Sequence, residues 1–321
     1  METALHPISQ KILTDFQPRK TKAQKQAFID WLVPTLAKEE IYVWVENQRM
    51  LFNCNNLVIG DPYICELIVS AHYDTAPVLP FPNLIFPRNP FLTILIQLLM
   101  LLILLAIAQL SLFGLVYQFK NMPFILFFVL QIGFPLLLFG LLFFGPANKH
   151  TANDNTSGVI AVLETILAMD PKERAKVCFV LFDLEEVGSI GSKLFYQKYP
   201  GKMRSTLQID LDCVGDGDHI MLLPNRVVLK ENPNLKMLLG GYFERAVFTN
   251  AKKELHFETA RRISLPSDQH RFRYSVGVSA FHKIPVLGLF LGRIRSRWDN
   301  KLDPENIRII SQAINGYART L

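Results

Sequence analysis

The chain of 321 residues has only four cysteines, Cys54, Cys65, Cys178 and Cys213, and no Cys-x-x-Cys pair. That excludes a cysteine-based zinc ribbon and a dense disulfide framework. Cys65, Cys178 and Cys213 lie in or beside apolar, strand-like runs, as buried thiols do, and this fits a reducing compartment. Residues 1–10 lack the apolar stretch of a secretory signal. No nucleic-acid motif accompanies the net charge of +6, so no nucleic-acid partner is expected. The basic residues are dispersed through an N-terminal arm (Lys11, Arg19, Lys20, Lys22, Lys25) and the last third (Arg261, Arg262, Arg271, Arg273, Arg293, Arg295, Arg297). They read as a solvated basic surface. No internal repeat or low-complexity tail is present.

Charge is almost missing from residues 91–145, where Lys120 stands alone. Two apolar runs, 91–119 and 123–145, fill that block. As helices at 1.5 Å per residue they would reach ~43 Å and ~35 Å, enough to cross a bilayer core of about 30 Å. Pro90 and Pro123 suit first helical turns, and Pro135 would kink the second helix. The connection Lys120-Asn121-Met122 is short enough to force an antiparallel hairpin. Chemical motifs flank the block on both sides. The expectation is therefore one discontinuous domain, residues 1–90 and 146–321, interrupted by a transmembrane hairpin at 91–145. Arg88 and Lys149 at its outer ends put the larger domain on the cytoplasmic side. The protein is expected to be an integral membrane protein with two transmembrane helices and with membrane lipid as a partner.

Outside that block, apolar periodicity predicts helices over 21–38, 157–169, 189–199, 234–246 and 303–317. Strands are predicted over 41–45, 57–59, 67–71, 177–184, 207–211 and 286–291. Pro34 is expected to bend or end the first helix. Alternating helices and strands imply an α/β domain of three layers, αβα, around a mixed, mostly parallel sheet.

Five motifs follow in order: Ala71-His72-Tyr73-Asp74, Asn153-Asp154-Asn155-Thr156-Ser157-Gly158, Asp183-Leu184-Glu185-Glu186, Asp212-Cys213-Val214-Gly215 and Arg295-Ser296-Arg297-Trp298-Asp299. Several follow predicted strands, where an open α/β sheet gathers ligands along one edge. One imidazole with several carboxylates suits a two-metal hydrolytic site. His72 can ligate zinc, and the Asp74 carboxylate can accept its other ring N–H; a surface ion pair is the plainer account of His-x-Asp. Asp154 can bridge two cations or cap the following helix. In an extended chain Glu185 and Glu186 point oppositely, so one can bind metal while the other moves a proton; a charged loop is the alternative. Asp210 shares a strand face with Asp212 but lies deeper, which suggests a structural role.

The ordered set resembles the co-catalytic dizinc aminopeptidases, zinc metallopeptidases related to glutaminyl cyclases, over roughly residues 57–317 apart from the hairpin. The resemblance implies a mixed sheet between helical layers. It implies that His72 and Asp212 hold a first zinc, Asp154 bridges, and the peptide after Asp154 is cis. It further implies that Glu186 holds a second zinc, Glu185 is the general base, Asp74 orients His72, and Ser267-Asp268-Gln269-His270 lines the substrate side. The family usually has histidine four residues before the aspartate matched by Asp299, and here that position is Arg295. A guanidinium cannot ligate a metal, and two unit charges about 4 Å apart repel by about 4 kcal/mol at an effective dielectric near 20. One firmly held zinc is therefore expected, with a second site in doubt and Arg295 paired to Glu186 or Asp154. His270 and His282 are candidate substitute ligands. The activity implied is removal of the N-terminal residue from peptides with a free N-terminus. A peptidase-like scaffold that has lost its chemistry is the first alternative, and a glutaminyl-cyclase-like acyltransferase ranks last.

Overall fold

Nine strands form one mixed sheet in the computed structural model, which describes residues 4–49, 53–118, 123–248, 252–258, 265 and 267–321. The strands are β1 (Val43–Arg49), β2 (Asn53–Ile59), β3 (Leu67–His72), β4 (Val177–Phe182), β5 (Leu207–Leu211), β6 (His219–Pro224), β7 (Glu254–Phe257), β8 (Ser275–Ile284) and β9 (Gly288–Phe290). Their order is β1-β2-β4-β3-β5-β8-β6-β7, with β9 paired to β8. The expected predominance of parallel pairing is not found. Only the centre, β4-β3-β5-β8, and the β6-β7 edge are parallel, whereas β1-β2, β2-β4, β6-β8 and β8-β9 are antiparallel. The mixed pairing of β8, β6 and β7 is not legible in the sequence, because these strands carry histidine, glycine, serine and lysine, which break an apolar run.

The central strands alternate between two cores, as a sheet covered on both faces requires. Leu67, Val69, Ala71, Val177, Phe179 and Leu181 enter one core with helices Lys22–Lys38, Gly158–Ala168 and Pro304–Ala318. Ile68, Cys178, Val180 and Phe182 enter the other with helix Ile190–Lys198. All four cysteines are buried and free. Helix Lys22–Lys38 opens on a capping box between Thr21 and Gln24 and runs through Pro34. Burial of Phe28, Leu32 and Leu36 on the sheet offsets the one lost hydrogen bond.

Helices Pro90–Gln118 and Phe124–Phe144 stand apart from both cores. Their 18-residue windows have mean hydropathy 2.9 and 2.5, and those windows are 6% and 0% buried. They are not core helices of this fold. Gln131 Nε2 donates to Gln109 Oε1 at 2.6 Å. These residues are nearly equidistant from the connection, as in an antiparallel pair. The Lys120-Asn121-Met122 turn lies outside the described residues, as do Arg261 and Arg262. At the base, Val78 N–H donates to Pro146 O at 2.9 Å and Pro77 bridges Ala147.

Candidate metal centre

β3 and β5 are parallel neighbours, with Ser70 opposite Asp210. Continuing that register by two residues brings His72, at the end of β3, beside Asp212, just beyond β5. His72 Nε2 lies 3.8 Å from Asp212 Oδ1 and 3.7 Å from Asp154 Oδ1. The three donor atoms lie within 4.8 Å of one another. One nitrogen and two carboxylate oxygens suit zinc, whose bonds to such donors are about 2.0–2.2 Å. The separations slightly exceed the ~3.3 Å between ligands of a tetrahedral ion. Small side-chain shifts close that gap, so the donor set fits.

Asp154 is delivered by the irregular turn Ala152–Ser157, and its carboxylate does not cap helix Gly158–Ala168, whose first N–H donates instead to Asn155 Oδ1 at 3.0 Å. The Asp154–Asn155 peptide is cis. The rest of the motif latches this turn to the end of β5. Asn155 Nδ2 donates to Leu211 O at 2.9 Å, and Asn155 Oδ1 accepts from Cys213 N at 3.1 Å. Asn153 Oδ1 accepts from Gly215 N at 2.7 Å, and Ser157 Oγ accepts from Val214 N at 3.0 Å. A Cβ on Gly158 would sit 2.3 Å from Leu211 O, so the helix can approach β5 this closely only with glycine there. From the other side, Asp299 accepts from Asn153 N at 2.7 Å and Asp154 N at 3.1 Å.

Asp74 acts differently from expectation. His72 Nδ1 meets the Asp74 backbone carbonyl at 3.0 Å, with the carboxylate 3.7 Å away. That carbonyl takes the ring N–H and leaves Nε2 facing the acids. The Asp74 carboxylate instead accepts Glu185 N at 3.0 Å and Glu186 N at 3.2 Å. The two glutamates are not on extended chain. β4 ends at Phe182, and Leu184 turns the backbone at φ 59°. Both side chains therefore line one pocket of about 250 Å³ with His72, Asp154, Asp212 and Arg295. Leu184, Ser189, Cys213 and Arg295, all at or beside this pocket, are non-glycine residues with left-handed φ. Such conformations cost about 1 kcal/mol or more each and gather at functional sites.

Arg295 is ion-paired to Glu186, whose side chain is only 7% exposed. Considering the protein's own groups, burial pushes Glu186 up to about 8, with Arg295 opposing and Asp154 reinforcing the shift. Burial likewise raises Glu185 well above the carboxylate range, against the pull of His72. Burial opposes charge on His72, but Glu185, Asp212 and Asp74 outweigh it and raise its pKa. Asp212 is lowered despite burial because His72 faces it.

The remaining candidates fall elsewhere. His270 bonds Leu265 O at 2.8 Å, and His282 faces Asp216 at 3.0 Å, so neither replaces the missing imidazole. Asp210 is structural: it accepts from Ser70 Oγ at 2.6 Å, from Ser267 Oγ and from Gln269 N. Ser267-Asp268-Gln269-His270 does not line the pocket and is held by Asp210 and by Ser192, which donates to Asp268 at 2.5 Å. Two supposed surface cations are buried. Lys25 pairs with Asp183 at 2.6 Å. Arg19 is fully buried and donates to Tyr73 O and, at 3.1 Å, to Thr156 Oγ1, directly beneath the metal-site turn. No spacing signal marks Arg19. A second group of metal-type donors, His219, Glu254 and His256, lies outside every motif of the sequence; its one local trace is Glu-x-His in a short strand.

Residues 139–308, more than half of the chain, match the sequence profile of peptidase family M28. The chain belongs to peptidase family M28. The matched segment contains Asp154, Glu185, Glu186, Asp212 and Arg295; His72 lies before it and joins through the fold. With family membership and the His72–Asp154–Asp212 cluster together, this M28 protein is a zinc metallopeptidase. The fold is similar to a glutaminyl cyclase of Porphyromonas gingivalis (TM-score 0.58, 14% identity, 97% of this chain and 95% of that one). It is similar to a Zn-dependent exopeptidase of Parabacteroides distasonis (TM-score 0.59, 14% identity, 96% and 94%). It also resembles the LapA aminopeptidase of Legionella pneumophila (TM-score 0.55, 13% identity, 97% and 67%).

Proposed function

We propose that this M28 peptidase is a membrane-anchored aminopeptidase with one firmly held zinc and an incomplete second metal position. The observation that carries the reading is one pocket in which His72, Asp154 and Asp212 converge beside a free Glu185 and an Arg295–Glu186 ion pair. Zinc held by His72, Asp154 and Asp212 would supply a Lewis acid for the scissile carbonyl and for water. Glu185 takes the proton of the attacking water and returns it to the leaving amine, a role favoured by its raised pKa. Asp74 fixes the backbone of Glu185 and Glu186, and its carbonyl sets the His72 tautomer. Arg295 supplies beside Glu186 the positive charge that a second ion would otherwise bring. The pocket suits a chain end, whose α-ammonium meets the surplus of carboxylates. Ile85, Leu265, Leu291 and Ile294 line it and favour an apolar first side chain.

The hairpin at 91–145 is read as the anchor inserted into one discontinuous domain, residues 1–90 and 146–321. Its exposed apolar surface supports a bilayer position, and Arg88 and Lys149 support a cytoplasmic catalytic domain. Asn83 and Arg295 line both the metal pocket and an apolar cavity walled by Ile96, Met100 and Leu104 of the first hairpin helix. Peptides would therefore be met at the membrane surface. The test uses purified, zinc-loaded full-length protein with leucyl, lysyl and N-acetyl-leucyl reporters. Cleavage of the leucyl reporter above the lysyl one, with none of the acetylated one, is expected. Equal cleavage of free and acetylated reporters would sink the aminopeptidase reading. Ammonia release from N-terminal glutamine peptides without hydrolysis would replace it with the cyclase.

A further inference from the structure

The edge pair β6–β7 carries a donor set unconnected with the catalytic pocket. In its parallel register His219 lies opposite Glu254 and Met221 opposite His256. Side chains on a strand alternate, so Glu254 and His256 leave β7 on one face, and register places His219 of β6 on that face beside them. The neighbours confirm the alternation: Leu255 and Phe257 pack into the opposite core. Three donor atoms consequently converge. His219 Nδ1 is 3.0 Å from His256 Nε2 and 3.2 Å from Glu254 Oε2, and His256 Nε2 is 3.9 Å from Glu254 Oε2.

Those separations bracket the ~3.3 Å between neighbouring ligands of a tetrahedral ion with bonds of about 2.05 Å. We propose that His219, Glu254 and His256 form a second, non-catalytic site for a zinc-class divalent cation that clamps edge strand β7 to β6. Two imidazoles and one carboxylate favour zinc, cobalt, nickel or copper over magnesium or calcium, which prefer all-oxygen shells. Three protein ligands leave a fourth position to solvent, on the side where Glu254 is exposed. Among the described residues, Arg88 and Lys283 both bring positive charge near the site. Arg88 Nη2 contacts His256 Nδ1 at 3.2 Å, while its Nε donates to Glu258 Oε1 at 2.8 Å. On metal binding His256 Nδ1 becomes a donor, so Arg88 must yield that nitrogen while retaining Glu258. Arg88 therefore tunes the site against metal, and it sits two residues before the first hairpin helix.

The test is metal stoichiometry of the full-length protein after equilibration with zinc and dialysis, for wild type, His256→Ala, Glu254→Gln and Asp212→Asn. In parallel, cobalt loading is followed by visible absorption. Wild type should hold one more equivalent than His256→Ala, and Glu254→Gln should lose that same equivalent. Asp212→Asn should keep it, with the tetrahedral cobalt band intact. Leucyl reporter cleavage should be unchanged in His256→Ala, which separates this site from the catalytic one. In the Asp212→Asn background zinc should raise the melting temperature, and adding His256→Ala should abolish that rise. Equal stoichiometry in wild type, His256→Ala and Glu254→Gln would overturn the proposal, as would a zinc-induced rise that survives His256→Ala.

Discussion

Arg295 and Glu186 form an ion pair on the rim of the His72–Asp154–Asp212 cluster. On the proposed reading, this guanidinium stands in for a second ion beside Asp154. Burial and the neighbouring Asp154 raise the pKa of Glu186, and Arg295 counters them. The pair is a local answer to crowded carboxylates, and it makes the second metal position the most informative one to alter.

Replacing Arg295 by histidine should restore a ligand and remove a repelling charge. Zinc content in the catalytic pocket should rise from about one to about two per chain, with activity higher by roughly tenfold or more. Elemental analysis beside leucyl reporter kinetics checks this. A variant that gains neither metal nor activity would show that Arg295 does not block the position.

Glu185→Gln keeps size and most hydrogen bonding but cannot move a proton. Its kcat should fall by about 10²- to 10⁴-fold while zinc content stays at the wild-type value. Loss of zinc together with activity would instead make Glu185 a ligand.

Removing the metal should act on folding as well as chemistry. Chelation, or Asp212→Asn, should abolish cleavage. It should also lower the melting temperature, because a ligand at 100 times its Kd stabilises the folded state by about 2.7 kcal/mol. Calorimetry with and without zinc checks the size. Cleavage that persists after complete chelation would contradict the metal assignment.

Asp299 never faces the metal cluster directly, yet it holds the Asp154 turn through two backbone N–H groups. Asp299→Ala leaves both donors buried without a partner and should destabilise the protein by about 2–4 kcal/mol, weakening zinc affinity with it. Asp299→Asn, which still offers one acceptor, should lose roughly half as much. Urea unfolding of both variants distinguishes this from a distant surface effect, which would leave both within about 0.5 kcal/mol of wild type.

The hairpin should keep the protein in the membrane fraction through an alkaline carbonate wash and release it only with detergent. Splicing Arg88 to Pro146 through a short glycine-serine loop should give protein that stays in the supernatant. Release of the intact chain by carbonate alone would rule out a spanning anchor.

The amino-acid sequence by itself determined the apolar block, the central strands and the order of the acidic motifs. Long uncharged runs and fully buried parallel strands write hydrophobicity directly into composition, so β3, β4 and β5 and both long helices were legible. The substitution of Arg295 for an expected imidazole was legible too, because it is a matter of residue identity. Tertiary structure alone decided which partners those residues take. Asp74 gives its carboxylate to the Glu185–Glu186 turn, and Asp299 reaches across the chain to steady Asp154. Arg19 comes from the N-terminal arm to lie under the site. The register of β6 and β7 joins His219 to Glu254 and His256. These are contacts between residues far apart in sequence, fixed by strand order and register, and no local pattern of polarity carries that information.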